Sequence, residues 1–269
     1  MFFTKMSCYG NDYLYVDCFS ERVKHPGQEA KWLCNRHDGI GADGLVLLCP
    51  SERADFRMRI IDPDGTEAEM CGNALRSSAY LFRCTHRQNA SRLTVETLAG
   101  IRSVWFPRHC VGKQIRTDFG KPIIHFLQKE LDVSGEKVLC TSLSFGNPHL
   151  VVLTDDLSDK SFFRLGPALE THPMFPERTN VEFVRVLGTD LLKLRTWERG
   201  CGETLSCSTG SAAAMVAAHL SGMSDRKALV EQSSGHVFAE WLEDNTVLVT
   251  GDTRIVFTGF TNGKESIWN

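Results

Sequence analysis

Two cysteines, Cys71 and Cys207, stand in such similar surroundings that their thiols are candidates for chemistry. Each follows a glycine-rich turn that contains carboxylates, and each is followed by a segment of helical character. Because unpaired N–H groups and the positive dipole end surround a side chain at a helix start, we expect the pKa of both thiols to fall below about 8.5. Such N–H groups also form a site for a carboxylate ligand. The residues that would supply them here are Gly72, Asn73, Ser208 and Thr209.

A thiolate and a thiol on opposite sides of one carbon can invert a stereocentre. One group removes the proton next to a carboxylate, and the other returns a proton to the opposite face. Helix N–H donors would stabilise the negative charge that develops on the carboxylate oxygens once water is excluded. The two cysteines therefore predict cofactor-independent proton transfer on a small amino acid.

An internal repeat relates the two cysteines. They are 136 residues apart, the same offset that separates the Gly-Asn pairs at 10–11 and 146–147 and the segments 56–62 and 192–198. Apolar and cationic residues alternate in both segments, which is the period-two pattern of a half-buried strand. Since this offset is nearly half of the 269 residues, we predict two α/β domains of like topology. Each would be a mostly antiparallel sheet around one helix, with a cleft between the domains.

The segment after Cys207 predicts an enclosed helix, because it is apolar nearly all round. Gly222 is the expected residue just beyond its C-terminal end. The pattern breaks at Gly120 and Pro122, so we place the first domain at residues 1–117 and the second at 118–253. A final strand at about 254–269 is expected to return to the first domain.

Composition and charge narrow the classes of function. The chain is 42% apolar and 23% charged with a formal net charge of -3, which favours a folded core and argues against nucleic acid or a membrane as partner. Neither a secretory leader nor a membrane-length apolar run is recognisable, so we expect a cytoplasmic protein. The ten cysteines include no C-x-x-C motif, which argues for reduced thiols and against a zinc site. Nucleotide-binding glycine motifs are also missing, and we expect neither cofactor nor metal.

Several polar residues near the repeated motifs could have either a structural or a functional role. His149 could be a satisfied surface histidine, or it could modulate the thiol and thiolate through Glu198. Asparagines at positions 11, 147 and 180 could form turns or bind a ligand. We expect Arg76 and His219 to be solvated or packing residues.

Taken together, these residues resemble the diaminopimelate epimerase family, enzymes of lysine and peptidoglycan-precursor synthesis that work without pyridoxal phosphate. The resemblance runs over nearly the whole chain, through segments 5–12, 35–43, 64–73, 146–149, 175–180 and 198–207. It implies interconversion of LL- and meso-diaminopimelate with Cys71 and Cys207 as the acid/base pair. The fold that it implies is a pair of pseudosymmetric α/β domains, each a barrel-like sheet with a central helix and the active site in the cleft between them.

The resemblance also implies a substrate pocket. Glu198 would lie near the reacting amine, with His149 beside it. The unreacting, distal end of the substrate would contact Asn11, Asn147, Asn180 and Arg199.

Four positions depart from the family pattern. Gly44 stands where the family has Gln, Asp62 where it has Asn, and Ala74 and Ser208 where it has glycines. Asp62 would place an anion near the distal carboxylate, which costs affinity unless Asp62 is protonated, turned away or paired with the distal ammonium. We therefore predict a looser distal pocket that accepts diaminopimelate and smaller acidic amino acids such as glutamate.

Two alternatives stay open at this point. The first is a proline-racemase-like enzyme, or a broader amino-acid racemase, on the same fold. The second is a non-catalytic amino-acid-binding or thiol redox-sensing protein. In each case the partner is a small molecule, and a homodimer is compatible with these features.

Overall fold

The computed structural model of the protein describes residues 1–107 and 114–262. The chain divides into two compact units: unit 1 comprises Met1–Thr117 and Asp252–Asn269, and unit 2 comprises Asp118–Gly251. Cys110 and the last part of the expected returning strand, residues 263–269, lie outside the described residues. We propose that the two units are the domains that the internal repeat predicts.

Within the described ranges the chain forms eighteen strands and four helices. The strands are β1 Phe2–Cys8, β2 Asn11–Asp17, β3 Gly44–Cys49, β4 Phe56–Ile61, β5 Glu67–Ala68, β6 Arg92–Thr97, β7 Gly100–Trp105, β8 Ile115–Asp118, β9 Ile123–Val133, β10 Glu136–Ser144, β11 Pro148–Leu153, β12 Asn180–Gly188, β13 Leu191–Glu198, β14 Gly202–Thr204, β15 Lys227–Gln232, β16 Gly235–Trp241, β17 Val247–Gly251 and β18 Arg254–Phe260. The helices are α1 Pro26–Leu33, α2 Gly72–His86, α3 Asp159–Glu170 and α4 Ser208–Leu220. The mixed α/β class predicted from the sequence is confirmed.

Unit 1 is built on a mixed sheet in the order β18-β1-β2-β3-β4-β6-β7-β8. The β2–β3 and β4–β6 pairs are parallel, and the other neighbours are antiparallel. The short strand β5 pairs with the end of β4. Strand β18, which is last in the sequence, therefore completes the edge next to β1.

Unit 2 repeats this arrangement. Its order is β9-β10-β11-β12-β13-β15-β16-β17, with β14 beside the end of β13. The parallel pairs are β11–β12 and β13–β15, at the same places as in unit 1. Strand β9 thus holds the position in unit 2 that β18 holds in unit 1.

Each unit has one central helix. Helix α4 packs against seven strands of unit 2, and its residues 208–218 are all buried, as expected for a helix that is apolar nearly all round. It ends before Gly222, whose φ of 73° is the left-handed conformation of a residue just beyond a helix. Helix α2 packs against β1, β2, β3, β4 and β6 of unit 1.

The sheet of unit 1 has two apolar faces. Tyr13 and Tyr15 of β2 belong to the core cluster that contains residues of α2, whereas Leu14 and Val16 belong to the cluster that contains residues of α1. This alternation is the strand period of two, and it places neighbouring residues of β2 on opposite faces of the sheet. None of the described helices is long and apolar enough to cross a membrane.

Candidate functional site

Cys71 and Cys207 hold equivalent positions, each as the N-cap residue of its unit's central helix. The backbone dihedrals are nearly the same, with φ −139° and ψ 122° at Cys71 and φ −134° and ψ 113° at Cys207. The first turns of α2 and α4 begin at Gly72 and Ser208, as the sequence predicts. The positive end of a helix dipole therefore lies beside each sulfur.

The Cys207 thiol lies among the polar groups of its own helix start. Its Sγ accepts a hydrogen bond from Gly210 N at 3.3 Å and lies 3.3 Å from Thr209 Oγ1. The Cys207 N–H donates to Gln232 Oε1 at 2.7 Å. Only 7% of the residue is exposed, so the thiol is held in a defined place away from bulk solvent.

The expected lowering of the thiol pKa is wrong for Cys207. Burial and the nearby carboxylates of Glu198 and Glu182 raise the pKa of this thiol well above its ordinary value. The contacts from Thr209 and Gly210 act in the opposite direction but are weaker. Desolvation and like charge outweigh the helix start here, so Cys207 keeps its proton.

His149 has a buried partner that the sequence did not single out. His149 Nδ1 lies 2.8 Å from Glu182 Oε1, and both side chains are fully buried. Glu198, through which we expect His149 to act, accepts a hydrogen bond from Thr204 Oγ1 at 2.6 Å and is one of the carboxylates that raise the pKa of Cys207. Among the residues that the structure describes, His149 Nε2 and Glu182 Oε2 have no hydrogen-bond partner. Two buried polar atoms are therefore available to a ligand or to water.

Gly210 fits closely between these groups. A Cβ at this position would lie 2.9 Å from Glu182 Oε1 and 3.1 Å from the Cβ of Cys207. Glycine is therefore the residue that allows the first turn of α4 to approach both the thiol and the buried carboxylate.

The asparagines of unit 2 organise the backbone around the site. Asn147 Nδ2 donates to Thr209 Oγ1 at 3.2 Å. Asn180 accepts from the N–H of Arg199 at 2.9 Å and donates to the carbonyl of Pro148 at 2.9 Å. The Arg199 side chain is exposed and its Nη1 donates to the carbonyl of Glu177 at 3.5 Å. These two hydrogen bonds to the backbone support the interpretation of Asn180 as a turn-forming residue.

In unit 1, Tyr13 approaches Cys71. The Tyr13 hydroxyl donates to Cys71 Sγ at 3.5 Å. Burial, with a further contribution from Cys71, raises the pKa of the Tyr13 phenol well above its ordinary value, so the phenol keeps the proton that it donates. Cys71 itself is half-buried. The two cysteines therefore have the same backbone setting but different polar neighbours.

The glycine at position 44 does not leave an open space. A Cβ there would lie 3.0 Å from Ile61 O and 3.0 Å from Cε1 of Tyr13. The aromatic ring of Tyr13 and the carbonyl of Ile61 already occupy the space beside Gly44. Gly44 therefore does not by itself widen the pocket.

A chain of hydrogen bonds links Asn11 to the interior of α2. Asn73 Nδ2 donates to Asn11 Oδ1 at 2.7 Å, and Arg76 Nη1 donates to Asn73 Oδ1 at 3.0 Å and to Cys8 Sγ at 3.2 Å. Arg76 is fully buried, which excludes the solvated alternative; it packs in the interior and makes hydrogen bonds there. Asn11 Nδ2 also donates to Asp43 Oδ2 at 3.3 Å.

Asp62, a departure from the family pattern, is half-buried after the end of β4. Burial, and to a smaller extent Asp64, raise the pKa of its carboxyl. Burial therefore makes this carboxyl easier to protonate than an exposed one.

The structure adds Tyr13, Arg76 and Glu182 to the residues singled out by sequence. The offset of 136 could have found Tyr13, because this offset places it in register with His149. Glu182 is a carboxylate between the apolar residues Val181 and Phe183 of β12, where burial would demand a partner. Arg76 lies one turn from Asn73 on a helix whose other buried positions are small or apolar.

The described residues show no constellation of three or more His, Cys, Asp or Glu side chains that could hold a metal ion. None of the nine described cysteines forms a disulfide bond. The chemistry available to this part of the chain is therefore that of thiols, carboxylates, imidazole and helix starts.

The architecture defines a known class of mixed α/β proteins. A phenazine biosynthesis protein of the PhzF family from Bacillus anthracis matches with a TM-score of 0.72 at 17% identity, covering 96% of this chain and 98% of that chain. A hydroxyproline epimerase from Agrobacterium vitis matches with a TM-score of 0.70 at 16% identity, covering 96% and 91%. At this level of identity, the shared feature is the fold.

Sequence comparison narrows the class to one family. The family model described as diaminopimelate epimerase matches residues 3–124 and 141–256. A diaminopimelate epimerase from Pelotomaculum thermopropionicum is 44% identical over 278 residues, and one from Acetivibrio thermocellus is 43% identical over 273. Each alignment covers 96% of this chain and 98% of the relative. The chain therefore belongs to the diaminopimelate epimerase family, and the resemblance seen in the sequence is confirmed.

Proposed function

We propose that the protein interconverts LL- and meso-diaminopimelate by proton transfer at Cα, with Cys71 and Cys207 as the two acid/base residues. Family membership supports the substrate. The observation that carries the mechanism is the matched position of the two thiols, each at the N-cap of its unit's central helix.

The unlike surroundings of the two thiols support different resting roles. Cys207 is buried beside two carboxylates and holds its proton, so it is the acid of the unliganded protein. Cys71 accepts a hydrogen bond from Tyr13, which stabilises a thiolate more than a thiol. In the step that starts from this state, the Cys71 thiolate takes the Cα proton and the electron pair of the C–H bond stays on carbon. That pair then forms the new C–H bond with the proton of Cys207, leaving Cys71 as thiol and Cys207 as thiolate.

The starts of α2 and α4 would stabilise the intermediate. Removing the Cα proton places extra negative charge on the reacting carboxylate. Helix N-terminal N–H groups and the positive dipole end stabilise such charge without reorganising. We assign this role to the first turns that contain Gly72, Asn73, Ser208 and Thr209.

The remaining pocket residues belong to the same proposal. We assign the reacting amine to Glu198 and His149, whose Nε2 is a buried atom with no partner in the described ranges. The distal end of the substrate is assigned to Asn11, Asn147, Asn180 and Arg199. The contacts of Asn180 with the backbone indicate that it acts by holding the Arg199 turn in place.

A relaxed substrate range remains part of the proposal, and Asp62 is its main support. If Asp62 lies near the distal carboxylate, Asp62→Asn removes a potential like charge and should lower KM for diaminopimelate more than for glutamate. Equal effects on the two amino acids would place Asp62 outside the distal pocket.

The experiment that tests the proposed reaction is exchange of the Cα proton in deuterated water without added pyridoxal phosphate. The wild-type protein should incorporate solvent deuterium into LL-diaminopimelate while meso-diaminopimelate forms. Cys71→Ser and Cys207→Ser should each reduce turnover by at least about a hundredfold, since each removes one of the two acid/base groups. Cys84→Ser, which changes an exposed cysteine of α2, is the matched control and should retain activity.

The same assay separates the alternatives. Exchange into proline or glutamate, but not into diaminopimelate, would favour a racemase of different specificity. Ligand binding that survives both cysteine substitutions, with no exchange in the wild type, would favour a binding or redox-sensing protein. Exchange into diaminopimelate but into no other amino acid would reject the relaxed substrate range and leave the proposed reaction intact.

We further propose that the protein acts in the cytoplasm on a small amino acid. The absence of a membrane-spanning helix among the described residues is compatible with this location. A homodimer is a proposal that sedimentation velocity would test.

A further inference from the structure

Cys18 and Cys49 lie side by side at the ends of the parallel strands β2 and β3. Asp17 and Leu48 are register partners, and the N–H of Cys18 donates to Leu48 O at 2.9 Å. The next partners in the register are therefore Cys18 and Cys49. Neighbouring strands run about 4.8 Å apart, and disulfides form between Cα atoms about 4.4 to 6.8 Å apart. The two backbones are thus close enough for a disulfide.

The two side chains also share one face of the sheet. Both cysteines pack against the core cluster that contains α1 residues, together with Val16 and Leu47, which precede them by two positions on their strands. Cys71 packs against the cluster on the opposite face. Both Cys18 and Cys49 are half-buried, so the pair forms a second thiol site, separate from the catalytic cysteine of this unit.

The charges around the pair differentiate the two sulfurs. A hydrogen bond from Cys18 is the largest of the influences that lower the pKa of Cys49 to about 7, and Arg59 and Arg57 assist it against burial and Glu67. The same hydrogen bond, burial and Asp17 raise the pKa of Cys18. Cys49 is therefore the nucleophilic thiolate, and Cys18 holds the proton.

We propose that Cys18 and Cys49 form a second reactive site, at which a hydroperoxide oxidises the two thiols reversibly to an intramolecular disulfide. The Cys49 thiolate attacks one peroxide oxygen, the O–O bond breaks, and the leaving oxygen takes up a proton. The resulting sulfenic acid is attacked by the Cys18 sulfur, so that the S–S bond forms and the S–O bond breaks. The departing hydroxide takes the Cys18 proton. Overall, two thiols and one hydrogen peroxide give one disulfide and two waters, and a dithiol reductant reverses the oxidation. The site does not depend on the proposed epimerase activity.

The test is limited oxidation of the native full-length protein by hydrogen peroxide, followed by peptide mapping without reduction. The expected product is a linked pair of peptides that contain Cys18 and Cys49, formed before Cys84 is modified and lost on treatment with dithiothreitol. In Cys18→Ser, Cys49 should stop at a sulfenic acid that dimedone traps. Cys49→Ser should form no such link, while Cys84→Ser should behave like the wild type.

A second measurement needs no variant. Iodoacetamide at pH 7 should label Cys49 before Cys18, because the two are similarly buried but differ in thiolate content. Labelling of Cys18 first or at an equal rate would overturn the assigned roles. Oxidation of Cys84 ahead of this pair, or linkage of Cys49 to another cysteine, would overturn the proposal itself.

Discussion

Cys71 and Cys207 have equivalent backbone positions, but the groups around their thiols differ. Cys71 and Cys207 share their dihedrals within about 10°, and each begins a central helix. Their neighbours differ, because Tyr13 contacts one sulfur while Gly210, Thr209 and two carboxylates surround the other. The repeat therefore gives the two thiols the same backbone position, while the side chains around them give the two sulfurs different electrostatic surroundings.

Tyr13→Phe should lower kcat by roughly threefold to tenfold, since it removes a hydrogen bond worth about 0.5 to 1.5 kcal/mol from Cys71. The ring stays against Gly44, so no cavity forms and the urea midpoint should hardly change. Steady-state epimerisation and deuterium exchange check this expectation. Tyr15→Phe is the matched control: it also removes a buried hydroxyl, but that group hydrogen-bonds to Ser77. Unchanged turnover in Tyr13→Phe would exclude a role for the hydroxyl.

The candidate thiols could be found in the sequence, but the acidity of Cys207 could not. Burial is the main reason that its pKa is raised, followed by Glu198 and Glu182, and Glu182 is brought close only by the folding of β12 against α4. Sequence reasoning counted the helix dipole and omitted the desolvation that outweighs it. For the same reason the sequence does not show that Glu182 is the buried partner of His149.

At the scale of elements, the first turn of α4 is fitted to its surroundings by Gly210. Gly210→Ala would gain about 1 kcal/mol from helix propensity, yet the new Cβ would meet Glu182 Oε1 at 2.9 Å. Overpacking of this kind costs about 1 to 3 kcal/mol. Displacement of the thiol or carboxylate by about 1 Å can cost roughly a hundredfold in rate.

We therefore expect Gly210→Ala to lower kcat by tenfold or more, with the size set by how far Cys207 moves. Gly188→Ala is the control, because its Cβ would meet no atom closer than 3.7 Å. Activity assays and urea denaturation of both variants provide the comparison. Wild-type activity in Gly210→Ala would mean that the site tolerates the shift.

Helix α2 depends on a buried cation in a similar way. Arg76→Leu should lower the free energy of unfolding by about 2 to 3 kcal/mol, because Asn73 Oδ1 loses a charged donor in a buried place. Arg87→Leu, at the end of the same helix with a side chain 62% exposed, should change it by less than about 0.5 kcal/mol. Urea denaturation monitored by circular dichroism measures both. Similar values for the two variants would contradict the structural role of Arg76.

Periodicity predicted the elements well because their patterns are local. The alternating segments became β4 and β13, and the apolar run after Cys207 became the enclosed helix α4. The filling of the space beside Gly44 by Tyr13 was beyond the sequence, because it depends on how β2 and β3 align side by side. The offset of 136 shows which positions of the two halves are equivalent. It does not show which side chains are in contact, such as Tyr13 and Gly44.

At the scale of the whole molecule, buried thiols make stability sensitive to alkaline pH. Burial raises the pKa of both Cys34 and Cys140 to about 12, with smaller help from nearby carboxylates at Cys34. In the unfolded chain a thiol ionises near pH 8.5, so the stability contribution is full below about that pH and is lost as the pH rises toward 12. Each such thiol should cost about 1.4 kcal/mol per pH unit in this window.

Urea denaturation with reductant at pH 7, 9 and 10.5 tests this dependence. The free energy of unfolding should fall between pH 9 and 10.5, and Cys140→Ala should show a shallower fall than the wild type despite its lower starting value. Equal slopes for the two proteins would show that Cys140 ionises normally in the folded state.

The position of β18 has a consequence for the order in which the molecule is made. Unit 2 receives its edge strand β9 from the chain that immediately precedes β10, but unit 1 must wait for β18 to pair with β1. During synthesis the ribosome therefore releases the first half long before the last strand of its sheet exists. Although domains are usually finished from the N-terminus onward, here the half that is translated first is the one that can be completed only last.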